Sequence, residues 1–350
     1  MRRMTVPLQQ ISPAVAQAIL CRDLTATIDG KQVTVRRGAT LAEAQERLGP
    51  RPDLRATVLL PEPDDITQPD ASLALAKAVA GPGLTLEGPH QGQVNVRAEQ
   101  FGLLRVDSDR VYRLNRTNAA LVATAFDGRV TQPGDTVAIV KAPRLVMAKR
   151  LLNRALAVAE GGPILRVAPF TVRAISLIAG TRIRPTNLQV ASEQLRNKLA
   201  QFQAELVEVV HLDTDAPATI AATYQRLLQA GSEVLLVAGS IVLDPQDPFL
   251  VAARRLRAQF VCRGAPVDPG TMFWAATFGT VPAFGLASCE MYGRTSILDL
   301  VLPYALAREP LTPALFAGFG YGGLLNETMV VRHPGTAGRI HEHAAASAAH

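Results

Sequence analysis

Two kinds of residue are scarce in this chain of 350 residues, cysteine and the aromatics, and each scarcity removes a class of function. Cysteine occurs three times, at Cys21, Cys262 and Cys289, far apart and with no CxxC spacing. That excludes a zinc ribbon and a disulfide framework, and reduced thiols in a cytoplasmic protein are expected. Aromatic residues make up 5% of the chain, with a single tryptophan. The net charge of +6 and pI near 9.5 favour an anionic ligand. The arginines, however, are dispersed and no basic cluster is interleaved with aromatics, so a nucleic-acid surface is not expected.

Long apolar runs are also missing. No segment approaches the roughly 20 residues of a membrane-spanning helix, and glutamines interrupt the amino-terminal "MRRMTVPLQQISPAVAQAILC" where a signal peptide needs an apolar stretch. No membrane association is expected. No GxxxxGK[ST] occurs, and no GxGxxG follows the first strand of the carboxy-terminal half, so the phosphate cradles of P-loop and dinucleotide sites are absent.

What is present is a composition for packed folds: 48% hydrophobic, 19% charged, mean hydropathy +0.15. The length suits two or three domains. Residues 1–65 read as a small α+β unit, with a hairpin at Asp29-Gly30 in "LTATIDGKQVTV" and a helix "ATLAEAQERLG" closed by Gly49. Residues 66–160 read as a β-rich domain that opens on the helix "ASLALAKAVAG". It ends in an amphipathic helix "RLVMAKRLLNRALAVAE", in which Leu145, Ala148, Leu152, Leu156 and Ala159 share a face. Residues 166–330 alternate strand and helix, which predicts a three-layer α/β domain built on a parallel sheet. Residues 331–350 are small and polar and read as a flexible tail.

In such a sheet ligands bind beyond the carboxyl ends of the strands. The loops expected there are Ala179, Gly180, Thr181 and Arg182, then Gly239 and Ser240 through Asp247, then Pro266 to Gly270, which holds Asp268 and Pro269, then Ala287, Ser288 and Cys289. Gly180 and Gly239 allow backbone amides to approach a ligand, while Thr181 and Ser240 supply hydroxyls. Arg182 and Arg184 suit a phosphate, or are solvated arginines beside ordinary turns. In "VLLVAGSIVLDPQDP" the two carboxylates separate by context. Asp247 precedes Pro248 and an apolar-periodic run, which suits a helix N-cap whose loss costs about 0.5–2 kcal/mol. Asp244 has no comparable structural duty, and is the best candidate for a catalytic group, for accepting from a heterocycle, or for holding Mg²⁺ beside a phosphate. Cys289 has no histidine near it in sequence and reads as a loop or core residue. Trp274, in "TMFWAATFG", reads as core, and "GFGYGGLL" as a turn or a ligand loop.

The segments "VLLVAGSIVLDPQDP", "GAPVDPG" and "VPAFGLASC" resemble the molybdopterin-binding superfamily, which includes proteins that adenylylate molybdopterin and proteins that insert molybdenum into it. With "ISPAVAQAIL", "GQVNVRAEQFGLLRVD", "GDTVAIVKAP" and "AGFGYGGLL", the likeness is greatest to a less characterised branch with an amino-terminal extension, over residues 11–327. The pattern departs where Ala238 precedes Gly239, where Leu243 precedes the acidic residue, and at Ala287-Ser288-Cys289. The resemblance implies a protein that binds molybdopterin or its nucleotide derivative during maturation or delivery of the molybdenum cofactor. If it is catalytic, the implied chemistry is Mg²⁺-dependent adenylyl transfer or metal insertion, with Asp244 organising the ion. The alternatives are a noncatalytic carrier or assembly partner for a molybdoenzyme or another cofactor-assembly protein, and a sensor of another pterin or nucleotide. A homo-oligomer is compatible with each.

Overall fold

The computed structural model describes residues 1–9, 11–291 and 293–325. The tail expected over 331–350, and the end of the domain expected over 166–330, lie outside the described residues. The chain divides into two compact units, one of Met1–Asp127 with Thr131–Ala168, the other of Gly128–Val130 with Pro169–His350. Together they form a mixed α/β protein. Among the described residues no helix is long and apolar enough to cross a membrane.

The first unit begins with an antiparallel sheet in the order Arg2–Leu8, Arg51–Leu60, Ile19–Leu20. Beside it the hairpin Leu24–Ile28 and Lys31–Val35 turns at Asp29 and Gly30, both with positive φ, as the two-residue turn requires. The helix Leu41–Leu48 starts with a capping box between Thr40 and Glu43 and stops at Gly49, whose φ is 73°. Leu8, Leu20, Leu41, Leu48 and Val58 form the core here. A second antiparallel sheet follows, ordered Leu121–Thr124, Thr136–Lys141, Gln93–Ala98, Leu84–His90. Its Val94, Val96 and Val140 pack with Leu75 and Val79 of the helix Gln68–Val79.

One reading of this unit needs correction, and one helix went unread. The amphipathic run from Leu145 is not helical throughout, because Val146–Ala148 pairs as a strand with Asp65–Thr67 and the helix is Lys149–Ala159. The apolar residues kept helical spacing by accident of a strand feeding directly into a helix. A further helix, Ser108–Asn115, has one buried residue, Leu114, and so carries almost no apolar face to be read. Its Asp107 cap accepts from Arg110 N at 3.0 Å.

The second unit is built on one sheet. Its strands are β1 (Ala174–Ala179), β2 (Glu205–His211), β3 (Val234–Ala238), β4 (Gln259–Arg263), β5 (Trp274–Phe278) and β6 (Val281–Gly285). Its helices are α1 (Pro185–Ala200), α2 (Pro217–Gln229), α3 (Pro248–Arg255), α4 (Ser288–Met291), α5 (Ile297–Leu306) and α6 (Pro313–Gly318). The spatial order is β2-β1-β3-β6-β5-β4. Every residue of β3 is buried, as in a strand covered on both faces. The expectation of a wholly parallel sheet is corrected at β5, which runs antiparallel to both β6 and β4. The cause is local. Only Gly279 and Thr280 join β5 to β6, and two residues close a hairpin but cannot make the crossover that parallel neighbours need.

The chain leaves β1 for β2 on one side and returns to β3 on the other. The order therefore reverses between β1 and β3, and in open α/β sheets the carboxyl ends at such a reversal are where ligands bind. Gly180 and Gly239 follow those two ends directly.

Candidate functional site

Along the carboxyl edge the loops occur in the order of the strands, so that residues far apart in sequence become neighbours. Gly180 N donates to Ala238 O at 3.0 Å, which places the turns after β1 and β3 side by side. A Cβ on Gly180 would lie 2.9 Å from the Phe249 ring and 3.0 Å from Asp215 Oδ1, so glycine lets those groups close in. Gly239 has φ 92°, the left-handed conformation that glycine adopts without strain.

Asp215, in the loop after β2, was not singled out from the sequence. Its Oδ1 accepts from Thr181 N at 3.1 Å and its Oδ2 from Thr181 Oγ1 at 2.6 Å. The signal for it was the position of "HLDTDAP" just past a strand end, on the same edge as the glycine turns. Arg182 is exposed beside this pair, as is Arg184.

The loop after β3 is pinned by a buried network. Asp247 is 1% exposed. Its Oδ1 accepts from Phe249 N at 3.0 Å and Leu250 N at 3.3 Å, the expected cap of α3. Ser240 Oγ also donates to Oδ1 at 2.9 Å, and Ile241 N to Oδ2 at 2.7 Å. The Trp274 indole Nε1, buried at the start of β5, donates to Ser240 Oγ at 2.9 Å. The Ser240 hydroxyl is thus both donor and acceptor within the fold.

Asp244 is half-buried. Its Oδ1 accepts from Gln246 N at 2.8 Å, an Asx turn, so the reading that it lacks structural duty is corrected. Oδ2 makes no hydrogen bond among the described residues. A Mg²⁺ ion keeps most of its waters and takes one or two carboxylates with phosphate oxygens. Oδ2 matches such a donor set only if a ligand phosphate completes it, because no three His, Cys, Asp or Glu side chains converge among the described residues.

Farther along the edge a second group forms. Asp268 N donates to Gly323 O at 2.9 Å and Leu325 N to Asp268 O at 3.0 Å, which joins Asp268 to the glycine-rich segment after α6. Pro269 O accepts from Ile297 N at 3.2 Å, and a Cβ on Gly270 would lie 2.5 Å from the Ile297 side chain. Gly270 is therefore fixed by the approach of α5. After β6, Leu286 N donates to Val237 O at 2.8 Å, and Ser288 is exposed at the start of α4.

Glu290 lies in this second group and was also missed. It is 1% exposed, its Oε2 accepts from Ala287 N, and its Oε1 has no partner. Burial pushes its carboxyl from 4.5 up to about 8, against hydrogen bonds from Ser296 and Ala287 N and the charge of Lys198, while Asp299 adds to the rise. Lys198 of α1 is itself paired with Asp299 of α5. A carboxyl raised on folding binds its proton more tightly folded than unfolded. Its folded form is thus favoured below about pH 4.5, and that advantage is lost as pH rises through about 8. Thermal melts from pH 5 to 8 should show falling stability, with a shallower fall in Glu290→Gln. An equal slope in the two proteins would mean that Glu290 is ionised throughout.

No family model matches the chain, and no curated protein matches it. Among solved structures, the molybdopterin biosynthesis enzyme MoaB from Thermus thermophilus is similar over 40% of this chain and 100% of its own, at 16% identity and a TM-score of 0.30. The molybdopterin biosynthesis MoeA protein from Pyrococcus horikoshii is similar over 69% of this chain and 80% of its own, at 12% identity and a TM-score of 0.31.

Proposed function

We propose that the second unit binds molybdopterin or a nucleotide derivative of it, and that the protein serves maturation or delivery of the molybdenum cofactor. The observation that carries this reading is the pair of glycine turns, at Gly180 and Gly239, side by side where the strand order reverses. The sequence resemblance at the same loops supplies the ligand. Arg182 is exposed beside the crevice and suits an anionic oxygen. Asp244 presents Oδ2 either to ring N–H donors or to a Mg²⁺ ion bridged by ligand phosphate.

One observation favours a carrier over a transferase. The hydroxyls of Thr181 and Ser240 are already bonded to Asp215, Asp247 and Trp274, and so are not free to orient a reacting anion. In that reading the molybdoenzyme or another cofactor-assembly protein receives the ligand directly. Release of AMP from ATP with purified molybdopterin and Mg²⁺ separates the two, because a carrier releases none.

The primary test is mass spectrometry of small molecules freed from the native protein, together with fluorescence of the oxidised pterin. Absence of a pterin after anaerobic loading would sink the reading. Asp244→Asn is expected to leave the melting temperature nearly unchanged, because Asn Oδ1 still accepts from Gln246 N. It should weaken the bound ligand about tenfold, the loss of one charged contact. Parent-like affinity in that variant would remove Asp244 from the site.

A further inference from the structure

We propose that the first unit holds a ligand site of its own, a cleft that takes a short extended peptide carrying side chains of both charge signs. The cleft lies wholly within that unit and does not rest on the pterin reading. Its volume is about 670 Å³, inside the range of small-ligand sites, about 300–1,000 Å³. One wall comes from Val35, residues 36–40 and the helix Leu41–Leu48. The other comes from the start of the helix Gln68–Val79 and the turn at residues 89–92.

Both walls are fixed before any ligand arrives. Gln68 N donates to Leu145 O at 2.8 Å, and Gln68 Nε2 to Ala142 O at 2.7 Å. The buried Ser72 hydroxyl donates to Gly92 O at 2.7 Å and accepts from Ala142 N at 2.8 Å. A Cβ on Gly92 would lie 2.4 Å from Gln68 Oε1, so glycine lets that turn close on the helix start. On the opposite wall the capping box of Thr40 and Glu43 sets the entry to its helix. The walls meet where a Cβ on Gly38 would lie 3.5 Å from the Leu145 side chain.

The polar groups on the walls select the ligand. Six charged side chains line the cleft: Arg36, Arg37, Arg47, Glu43, Glu46 and Asp70. Arg36 Nη1 is held by Asp23 Oδ2 at 2.9 Å, whereas Arg37 gives Asp23 only its backbone N–H. Glu43 Oε2 accepts from Thr40 N, and Asp70 Oδ2 from Thr67 Oγ1. The guanidiniums of Arg37 and Arg47 and the carboxylate of Glu46 are exposed and make no hydrogen bond among the described residues. A simple anion meets three carboxylates there and a simple cation meets three guanidiniums, so a ligand with both signs is favoured. No aromatic ring is among the described lining residues, which removes the stacking platform that a nucleobase or pterin uses. The carboxamides of Gln17 and Gln91, each donor and acceptor, match the amides of a peptide backbone. Ile19, Val35 and Leu145 offer apolar surface to the aliphatic stems of its side chains.

The test is calorimetric titration of the full chain with tetrapeptides, acetylated and amidated at their ends, that carry one Glu and one Lys in every pairing of positions. Doubly acidic and doubly basic tetrapeptides are the comparison. The parent should bind at least one mixed-charge peptide about tenfold more tightly than any peptide of a single sign. Arg37→Gln and Glu46→Gln change exposed side chains without internal hydrogen bonds, so both should melt like the parent. Each should weaken the mixed-charge peptide about tenfold. Tighter binding of the same peptide with free ends would uphold the site with a free peptide as its ligand, and equal or weaker binding would uphold it with a segment of a partner protein. The inference is overturned if the parent binds no mixed-charge peptide, if a doubly acidic peptide binds as tightly, or if either variant binds like the parent. Pterin retention by the native protein is read separately and should be the same in both variants, so failure of this site leaves the pterin reading standing.

Discussion

Asp247→Ala is expected to lower stability by about 3–5 kcal/mol, several times a lost helix cap, because the substitution strands several buried donors together. Phe249 N, Leu250 N, Ile241 N and Ser240 Oγ all donate to this one carboxylate. Water cannot replace it, since the side chain is almost fully buried. Asp247→Asn keeps the cap through Oδ1 but turns an NH₂ toward Ile241 N or Ser240, and so should cost about 1–3 kcal/mol for one unsatisfied buried donor. Sequence alone predicts a near-neutral Asn, because Asn caps as well as Asp. Chemical denaturation of the three proteins decides it. An Asp247→Ala variant within about 1 kcal/mol of the parent would show that the network does not hold the loop.

That contrast shows which features the sequence carried and which it did not. The cap itself was legible, because Asp247, Pro248 and the apolar-periodic run are adjacent. So were the Asp29-Gly30 hairpin and the strand-helix alternation through β1, β2 and β3, all set by residues close in the chain. The reversed direction of β5 was written in the two-residue link Gly279-Thr280, but reading it required recognising Trp274 to Phe278 as a strand rather than only as apolar core. Asp215 and Glu290 were illegible for another reason. Asp215 acts on Thr181, 34 residues earlier in the chain. Glu290 acquires its character from burial against Lys198, Ser296 and Asp299, brought together by α1, α4 and α5. A carboxylate's partners at such separations are properties of the sheet order, not of a local pattern.

The same distinction governs Asp244 and Ser240. From the sequence both were ligand candidates, because each sits in a loop beyond a strand where polar side chains lack obvious partners. The fold gives Ser240 two partners and Asp244 one. Of the two, only Asp244 keeps a side-chain oxygen without a hydrogen bond among the described residues. Ser240 instead links Trp274 to the loop, so the position of that loop depends on a buried tryptophan.

Gly285→Ala tests that dependence, and is expected to cost about 3–4 kcal/mol through overpacking and a lost buried hydrogen bond. Gly285 lies opposite Trp274 in the β5–β6 pair. A Cβ there would lie 1.8 Å from the indole Nε1, far inside contact distance, and 2.2 Å from Cε2. Neither partner can yield cheaply, for Gly285 is fixed by its pairing to Val237 and the indole is completely buried. The ring must therefore shift, which withdraws its N–H from Ser240 and loosens the Ser240–Asp247 link. Because Trp274 is the only tryptophan of the chain, its fluorescence reports this shift directly. The variant should show a lower melting temperature and an emission maximum moved to longer wavelength as the indole meets water. Trp274→Phe is the complementary change: it removes the donor without crowding Gly285 and should cost less than Gly285→Ala. An unshifted emission spectrum in Gly285→Ala, with parent-like stability, would mean that the strand backbone absorbs the extra methyl and that the indole does not set the position of the loop.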